Sequence, residues 1–146
     1  MQKFYDDLTR TYALHDMARW RDGQIYHRQT RILFVRADFL NRLIERLPDP
    51  YSAGRELGEL GERMFKAIWN IDPKTEKGRK KFYGLLNKIA GWGVFSEPSP
   101  GRIVIESPAI TGEAFMRGYL EGLLSARLDT VEATVDRMVL EIKEKP

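Results

Sequence analysis

Hydrophobic and polar positions along the chain alternate first with a helical period and then with a strand period. Phe4, Leu8, Tyr12 and His15 recur at helical spacing, which predicts an amphipathic helix over 4–18, broken by Asp22-Gly23. Gln24 to His27 and Arg31 to Arg36 are short extended runs separated by Arg28-Gln29-Thr30, and the β-rich Ile32-Leu33-Phe34-Val35 predicts a strand. Asp38 is placed to cap a short helix with an apolar stripe of Phe39, Leu40, Leu43, Ile44 and Leu47, closed by Pro48-Asp49-Pro50. A longer helix follows, with Ser52 as its expected cap. Its predicted buried stripe is Leu57, Leu60, Met64, Phe65 and Ile68, beside a smooth strip of Gly54, Gly58 and Gly61. Glycine costs up to about 1 kcal/mol per helix position, so three of them call for the close approach of a backbone or a ligand. Ile71-Asp72-Pro73 ends this helix. Thr75 caps the next, expected to run to about Ala90 with Phe82, Leu85, Leu86 and Ile89 inward.

After Gly91 the period changes. Trp92 to Glu97 and Arg102 to Glu106 are predicted strands joined by the turn Pro98-Ser99-Pro100-Gly101. Thr111 or Gly112 opens a helix with Phe115, Gly118, Tyr119, Gly122, Leu123 and Ala126 on one side. The last stretch alternates through Val131, Ala133 and Val135, then through Met138, Leu140 and Ile142. The one-residue phase slip at Asp136-Arg137 points to a two-residue hairpin loop that sets Val135 opposite Met138, or to a bulge. The expectation is one α+β domain over residues 1–146, with N-terminal helices packed on a C-terminal antiparallel sheet of β-β-α-β-β order.

Composition narrows the chemistry. The 146 residues include 24 Lys+Arg against 21 Asp+Glu, for a net charge of +3, and no Cys. Without Cys there are no disulfides, no thiol catalysis and no thiolate metal site. No apolar run approaches the roughly 18 residues of a membrane span, and Met1 to Asp7 has no secretory apolar region, so a cytoplasmic protein is expected. The small net charge is unevenly spread. Lys74, Lys77, Arg79, Lys80, Lys81 and Lys88 cluster against Glu76 alone, and Arg19, Arg21, Arg28, Arg31 and Arg36 against Asp22 alone.

Gly91-Trp92-Gly93, then Arg102-Ile103-Val104-Ile105-Glu106-Ser107-Pro108, then Gly118-Tyr119-Leu120-Glu121-Gly122-Leu123-Leu124 and a closing alternation together resemble the 4-vinyl reductase domain family. The upstream Gly54-Arg55-Glu56-Leu57-Gly58-Glu59-Leu60-Gly61 fits the same pattern, so the resemblance covers roughly residues 24–143. Domains of this family are structurally similar to core subunits of the TRAPP vesicle-tethering complex and to haem-dependent NO sensors. The resemblance implies a small-molecule, often hydrocarbon, binding or sensing domain, commonly dimeric, with an apolar pocket between helices and sheet. Two departures follow from the missing Cys: Leu128 to Ile142 lacks the family's C-terminal cysteines, and no acyl chain can be held as a thioester.

The elements that the family would wrap around its pocket carry Phe65, Trp69, Phe82, Trp92, Phe95, Phe115 and Tyr119. Aromatic-lined cavities bind apolar molecules without catalysis, although aromatics at helical spacing also simply fill cores. The candidate ligand-pocket residues are Leu57, Met64, Phe82, Leu86, Trp92 and Phe115. Gly58, Gly61, Gly118 and Gly122 are close-packing glycines, inside the domain or at a dimer contact. Arg28, Arg31, Lys77, Lys80 and Lys81 form a basic surface, either a solvated face or a contact for a protein partner, nucleic acid or an acidic membrane.

His15 and His27 have no flanking carboxylate at a ligand spacing, so no metal and no cofactor is expected. There is no G-x-S-x-G, H-E-x-x-H, Walker A or G-x-G-x-x-G, and nothing in the sequence points to an enzyme. The sequence therefore predicts a non-enzymatic domain that binds a small apolar ligand as a homodimer. The alternative is a TRAPP-like assembly scaffold.

Overall fold

In the computed structural model, described over residues 19–21, 24–27, 30–32, 35–87 and 91–143, the chain divides into two units, 1–36 and 37–146. The predicted helix over 4–18 and the residues Arg28, Leu33, Phe34, Lys88, Ile89 and Ala90 lie outside the described residues. The first unit contains an antiparallel meander of β1 (Arg19–Arg21), β2 (Gln24–His27) and β3 (Thr30–Ile32). Arg31 stands opposite Tyr26, and Trp20 opposite Ile25. The third strand starts at Thr30, one residue before the run that sequence suggests, and β1 is an additional strand.

The second unit begins with α1 (Ala37–Glu45), with Asp38 inside the first turn rather than at the cap. Of its apolar stripe, Ile44 is buried and Leu40 packs against the core, while Phe39, Leu43 and Leu47 are exposed. The Asn41 amide helps to anchor this helix. Asn41 donates from Nδ2 to the Ala109 carbonyl (2.8 Å) and accepts from the Thr111 N–H (3.1 Å).

Next comes α2 (Pro50–Trp69). Its cap is Asp49, not Ser52: the Asp49 carboxylate accepts from the Ser52 N–H at 3.0 Å and from the Ser52 hydroxyl at 2.6 Å. Proline at the first helical position has no N–H to satisfy and a φ already suited to the helix, so Asp49-Pro50 starts the helix earlier than Ser52 would. The other end closes on Asn70 in the left-handed region, with the Ile71 N–H reaching back to the Phe65 carbonyl at 3.3 Å. Thr75 caps α3 (Glu76–Leu85) by accepting from the Gly78 N–H at 3.0 Å.

The sheet comprises β4 (Val94–Ser99), β5 (Arg102–Glu106), β6 (Leu128–Ala133) and β7 (Arg137–Ile142), with α4 (Glu113–Leu124) between the two hairpins. Spatial order is β4-β5-β7-β6, with every neighbouring pair antiparallel. This is the predicted β-β-α-β-β order and an α+β fold. Central strands β5 and β7 supply Ile103, Ile105, Met138 and Leu140 to the core, all with no exposure. At the last hairpin the loop is Val135-Asp136, one residue earlier than expected, and Ala133, not Val135, faces Met138. A register shift between Thr130 and Glu132 takes up the difference, so the bulge lies at Val131, and Val135 is exposed.

Helices α2 and α4 pack backbone against backbone. A Cβ built on Gly54 would stand 2.1 Å from the Phe115 carbonyl oxygen, and one on Gly58 2.0 Å from that of Tyr119. In return, a Cβ on Gly118 would meet the Tyr51 oxygen at 2.2 Å, and one on Gly122 the Arg55 oxygen at 2.2 Å. Two pairs of glycines, each four residues apart, thus face each other's carbonyls, close enough for Cα–H···O contacts. This packing replaces the buried stripe expected on α2. The face that turns inward is Gly54, Gly58, Gly61 and Phe65, whereas Leu57, Leu60 and Met64 are 41%, 53% and 43% exposed.

Gly58→Ala and Gly122→Ala each force the helices apart and are expected to cost about 3 kcal/mol or more. Gly61→Ala is the contrasting case, because its Cβ would meet the Tyr119 hydroxyl at 3.4 Å and Leu123 Cδ1 at 3.5 Å. It is expected to stay within about 1 kcal/mol of the parent, since helix propensity offsets the crowding. Urea unfolding of the three variants separates these outcomes.

Candidate functional site

The inner faces of α2, α3 and β4 bring a chain of aromatic rings together. Phe65 stacks on Trp69 (centroids 4.9 Å apart) and meets Phe82 edge-on (4.8 Å). Phe82 lies 5.7 Å from Tyr83, and Tyr83 stacks on Phe95 at 6.0 Å. Leu86 is buried in the same core cluster, so two of the sequence-predicted pocket residues, Phe82 and Leu86, belong to this aromatic wall. Trp92 is half-buried and packs on Tyr119 (4.9 Å), and Phe115 is buried beneath Gly54. Leu57 and Met64 are placed elsewhere, on the exposed side of α2.

Tyr83 is the residue that the apolar pattern passes over. It is 4% exposed, and its hydroxyl meets no acceptor at hydrogen-bonding geometry among the described residues. Burial, and then the nearby Glu97 carboxylate, push that hydroxyl well above the ordinary tyrosine range, so it stays protonated. The Glu97 carboxylate lies nearby, and three other donors already engage it. Arg79 donates from Nε to Oε2 and from Nη2 to Oε1, both at 2.9 Å, and the Gly101 N–H donates to Oε1 at 2.7 Å. The Glu97 side chain is 4% exposed, so this fork ties α3 to the β4–β5 turn out of water. The one sequence hint to Tyr83 is its position next to Phe82 on a helix that packs on both α2 and the sheet.

A second, more polar feature lies where α2, α4 and β6 meet, a groove of about 880 Å³ bordered by Tyr51, Arg55, Arg117, Glu121, Arg127 and Lys143. Its groups largely satisfy one another. The Tyr51 hydroxyl donates to Glu121 Oε2, and the Leu128 N–H donates to Glu121 Oε1 at 2.9 Å. Arg117 lies 5.0 Å over the Tyr51 ring and donates to Glu113 at 2.8 Å, while Lys143 pairs with Asp129 at 2.7 Å. Buried Glu121 therefore works as a clip between both helices and β6. The groove shows how the charges are held; it lacks the apolar lining that the sequence led one to expect of a ligand site.

The predicted close-packing glycines lie at the α2–α4 crossing: Gly58 and Gly122 touch the facing backbone, Gly61 faces Tyr119, and Gly118 faces Tyr51. Lys77, Lys80 and Lys81 are exposed on α3, opposite its buried Phe82 and Tyr83; Lys80 pairs with Glu76 at 3.0 Å. Among the described residues no helix is long and apolar enough to cross a membrane.

Two antiparallel hairpins with a helix between them, closed over an aromatic core by glycine-paired helices, define the class of α+β domain to which the chain conforms. The same fold occurs in the phenol-responsive sensory domain of the transcription activator PoxR, in its crystal structure with phenol. The likeness has a TM-score of 0.58 and 13% identity and spans 94% of this chain and 89% of that one. No family model and no curated protein matches the chain.

Burial acts to raise the Glu97 carboxyl, but the Arg79 guanidinium and the Gly101 N–H outweigh it and hold the group below its ordinary value of 4.5. A carboxylate held low in the fold stabilises above its unfolded pKa, and that contribution fades as pH falls through the folded value. Wild type is therefore expected to exceed Glu97→Gln in stability near neutral pH, with the gap closing progressively once the pH drops below about 4.5. Urea midpoints of both proteins across the acid range provide the check.

Proposed function

We propose that this chain is a small-molecule-sensing domain that takes up a small aromatic or hydrocarbon ligand non-covalently, without catalysis. The observation that carries the reading is the unpartnered Tyr83 hydroxyl, buried beside Phe82 and Phe95. An aromatic wall with one idle polar group suits a ligand that is mostly apolar and has one hydroxyl to pair. The fold shared with a phenol-responsive sensory domain supports the same class of ligand. Phe82, Leu86 and Tyr83 are the residues assigned to contact, with Trp92 and Phe115 lining the adjoining core. Leu57 and Met64 would join only through a rearrangement that brings their exposed side of α2 inward. A ligand that binds one conformation better than another shifts the balance by that difference in affinity, which is all a sensor requires. The assembly-scaffold alternative, similar to TRAPP subunits, has the sequence resemblance alone behind it.

Calorimetric titration with phenol and with toluene tests this directly. Wild type is expected to bind phenol, and Tyr83→Phe to weaken phenol about fivefold or more while leaving toluene nearly unchanged. Without ligand, Tyr83→Phe is expected to unfold no earlier than wild type, since no hydrogen bond is lost and a buried idle hydroxyl is removed. Native mass spectrometry of the purified chain should reveal a co-purified mass that leaves on denaturation. No binding of either probe, together with a clean mass, would sink the proposal.

A further inference from the structure

Tyr83 is itself a phenol, so its surroundings show how this part of the core treats one. Its ring lies beside Phe82 and Phe95, with centroids 5.7 and 6.0 Å away, and α2 adds the Phe65 ring behind Phe82. Two charges lie near the hydroxyl, Glu97 on β4 and Arg79 on α3. Their side chains are only 4% and 12% exposed. The inward face of α2 brings glycines and Phe65, and no charge.

The two charges are not equivalent at the hydroxyl. Each Arg79 nitrogen already has an acceptor: Nε and Nη2 donate to Glu97 at 2.9 Å, and Nη1 to the Lys74 carbonyl at 3.2 Å. The Gly101 N–H is on Glu97 as well. After burial itself, the carboxylate has the larger effect on Tyr83, ahead of the opposing guanidinium. None of the three groups changes charge around neutral pH. Glu97 ionises below its ordinary value, Arg79 is held charged by its hydrogen bond to Glu97, and burial keeps Tyr83 protonated.

We infer that this site admits the neutral form of a hydroxylated aromatic ligand and rejects its phenolate, with Glu97 as the residue that sets this preference. The inference rests on the ligand reading above and sharpens it from aromatic ligands in general to those that remain un-ionised. A ligand hydroxyl that pairs with Tyr83 enters the same surroundings as the Tyr83 hydroxyl. As a phenolate it would bring a second negative charge close to a carboxylate that is out of water, with the Tyr83 O–H as the donor left to meet it. Each pKa unit by which such a site disfavours the anion is a tenfold preference for the neutral form, and burial with a like charge sets that preference at about a hundredfold or more. Weakly acidic phenols are therefore bound at neutral pH, and strongly acidic ones are not.

Titration of the full chain with 4-nitrophenol tests it, because that ligand loses its proton near neutrality and its phenolate is coloured. The companions are 4-nitroanisole, the methyl ether that cannot ionise, and phenol, an acid about as weak as tyrosine. The Kd of 4-nitrophenol is expected to rise about tenfold per pH unit above the ligand's own pKa, as its neutral fraction falls. Those of 4-nitroanisole and phenol should stay within about twofold over the same range. Where both forms of 4-nitrophenol coexist, adding protein should bleach the phenolate colour, since binding withdraws the neutral form. Glu97→Gln, with its fold checked by circular dichroism, should flatten the rise, and Glu97→Asp, which keeps the charge, should retain it. A 4-nitrophenol Kd that ignores pH, or a phenolate colour that persists in the bound ligand, overturns the inference while binding of phenol and 4-nitroanisole leaves the ligand reading standing. A Glu97→Gln protein as selective as wild type overturns the role of Glu97. If none of the three compounds binds at any pH, the ligand reading fails and the inference falls with it.

Discussion

Contact between the backbones of α2 and α4 sets the position of almost everything else in residues 37–146. With glycine at 54, 58, 118 and 122, carbonyl oxygens of each helix occupy the space where the other would carry side chains. Helices this close can bury little between them, so their larger residues project to either side of the crossing. On one side Phe65 and Tyr119 reach the aromatic core. On another, Tyr51 is brought to Glu121, whose carboxylate also takes the Leu128 N–H and so fixes the start of β6. The leucines of α2 have no place in the crossing and remain outside. A single spacing constraint therefore accounts for the buried core, the anchoring of the second hairpin and the exposed stripe.

The Arg79–Glu97 fork serves a related purpose at the other edge of the sheet. It holds α3 against the β4–β5 turn and leaves Tyr83 next to a carboxylate that three other donors already engage. A fully paired ion pair beside an idle hydroxyl is costly unless something pairs with the hydroxyl. That imbalance gives the ligand proposal physical content beyond similarity of fold.

Element order was legible in the sequence because period and turn chemistry agree across the second half of the chain. The Thr75 cap, the β-β-α-β-β order and a turn before Arg102 all express local preferences that nothing long-range opposes, although the turn is Pro100-Gly101 and Pro98-Ser99 end the strand β4. Which side of α2 faces inward was not legible. Leucine and methionine normally outrank glycine for burial, and the ranking reverses only when a second glycine-spaced helix sits opposite, which is information from sixty residues away. The Ser52 cap failed for a local reason, because Asp49-Pro50 starts the helix sooner. Val131 shows the limit of alternation: the phase slip signals a loop or a bulge, but the apolar pattern does not place the bulge at Val131 or the loop at Val135-Asp136. Tyr83 was overlooked because a helical stripe favours one of two adjacent residues, whereas α3 buries both.

Both outer strands of the four-stranded sheet carry features that hinder the addition of further strands. On β4, Asn87 takes the N–H and carbonyl of Phe95 with its own amide (2.7 and 2.9 Å), and Pro98 removes a donor. On β6, the bulge at Val131 interrupts the ladder. A protein that keeps a greasy helix face uncovered runs the risk of sticking indiscriminately. Here both edges of the four-stranded sheet carry features that hinder strand addition, which favours side-chain packing over strand pairing at that sheet. Such packing can saturate at a closed pair, whereas an unpaired strand edge adds copies without limit.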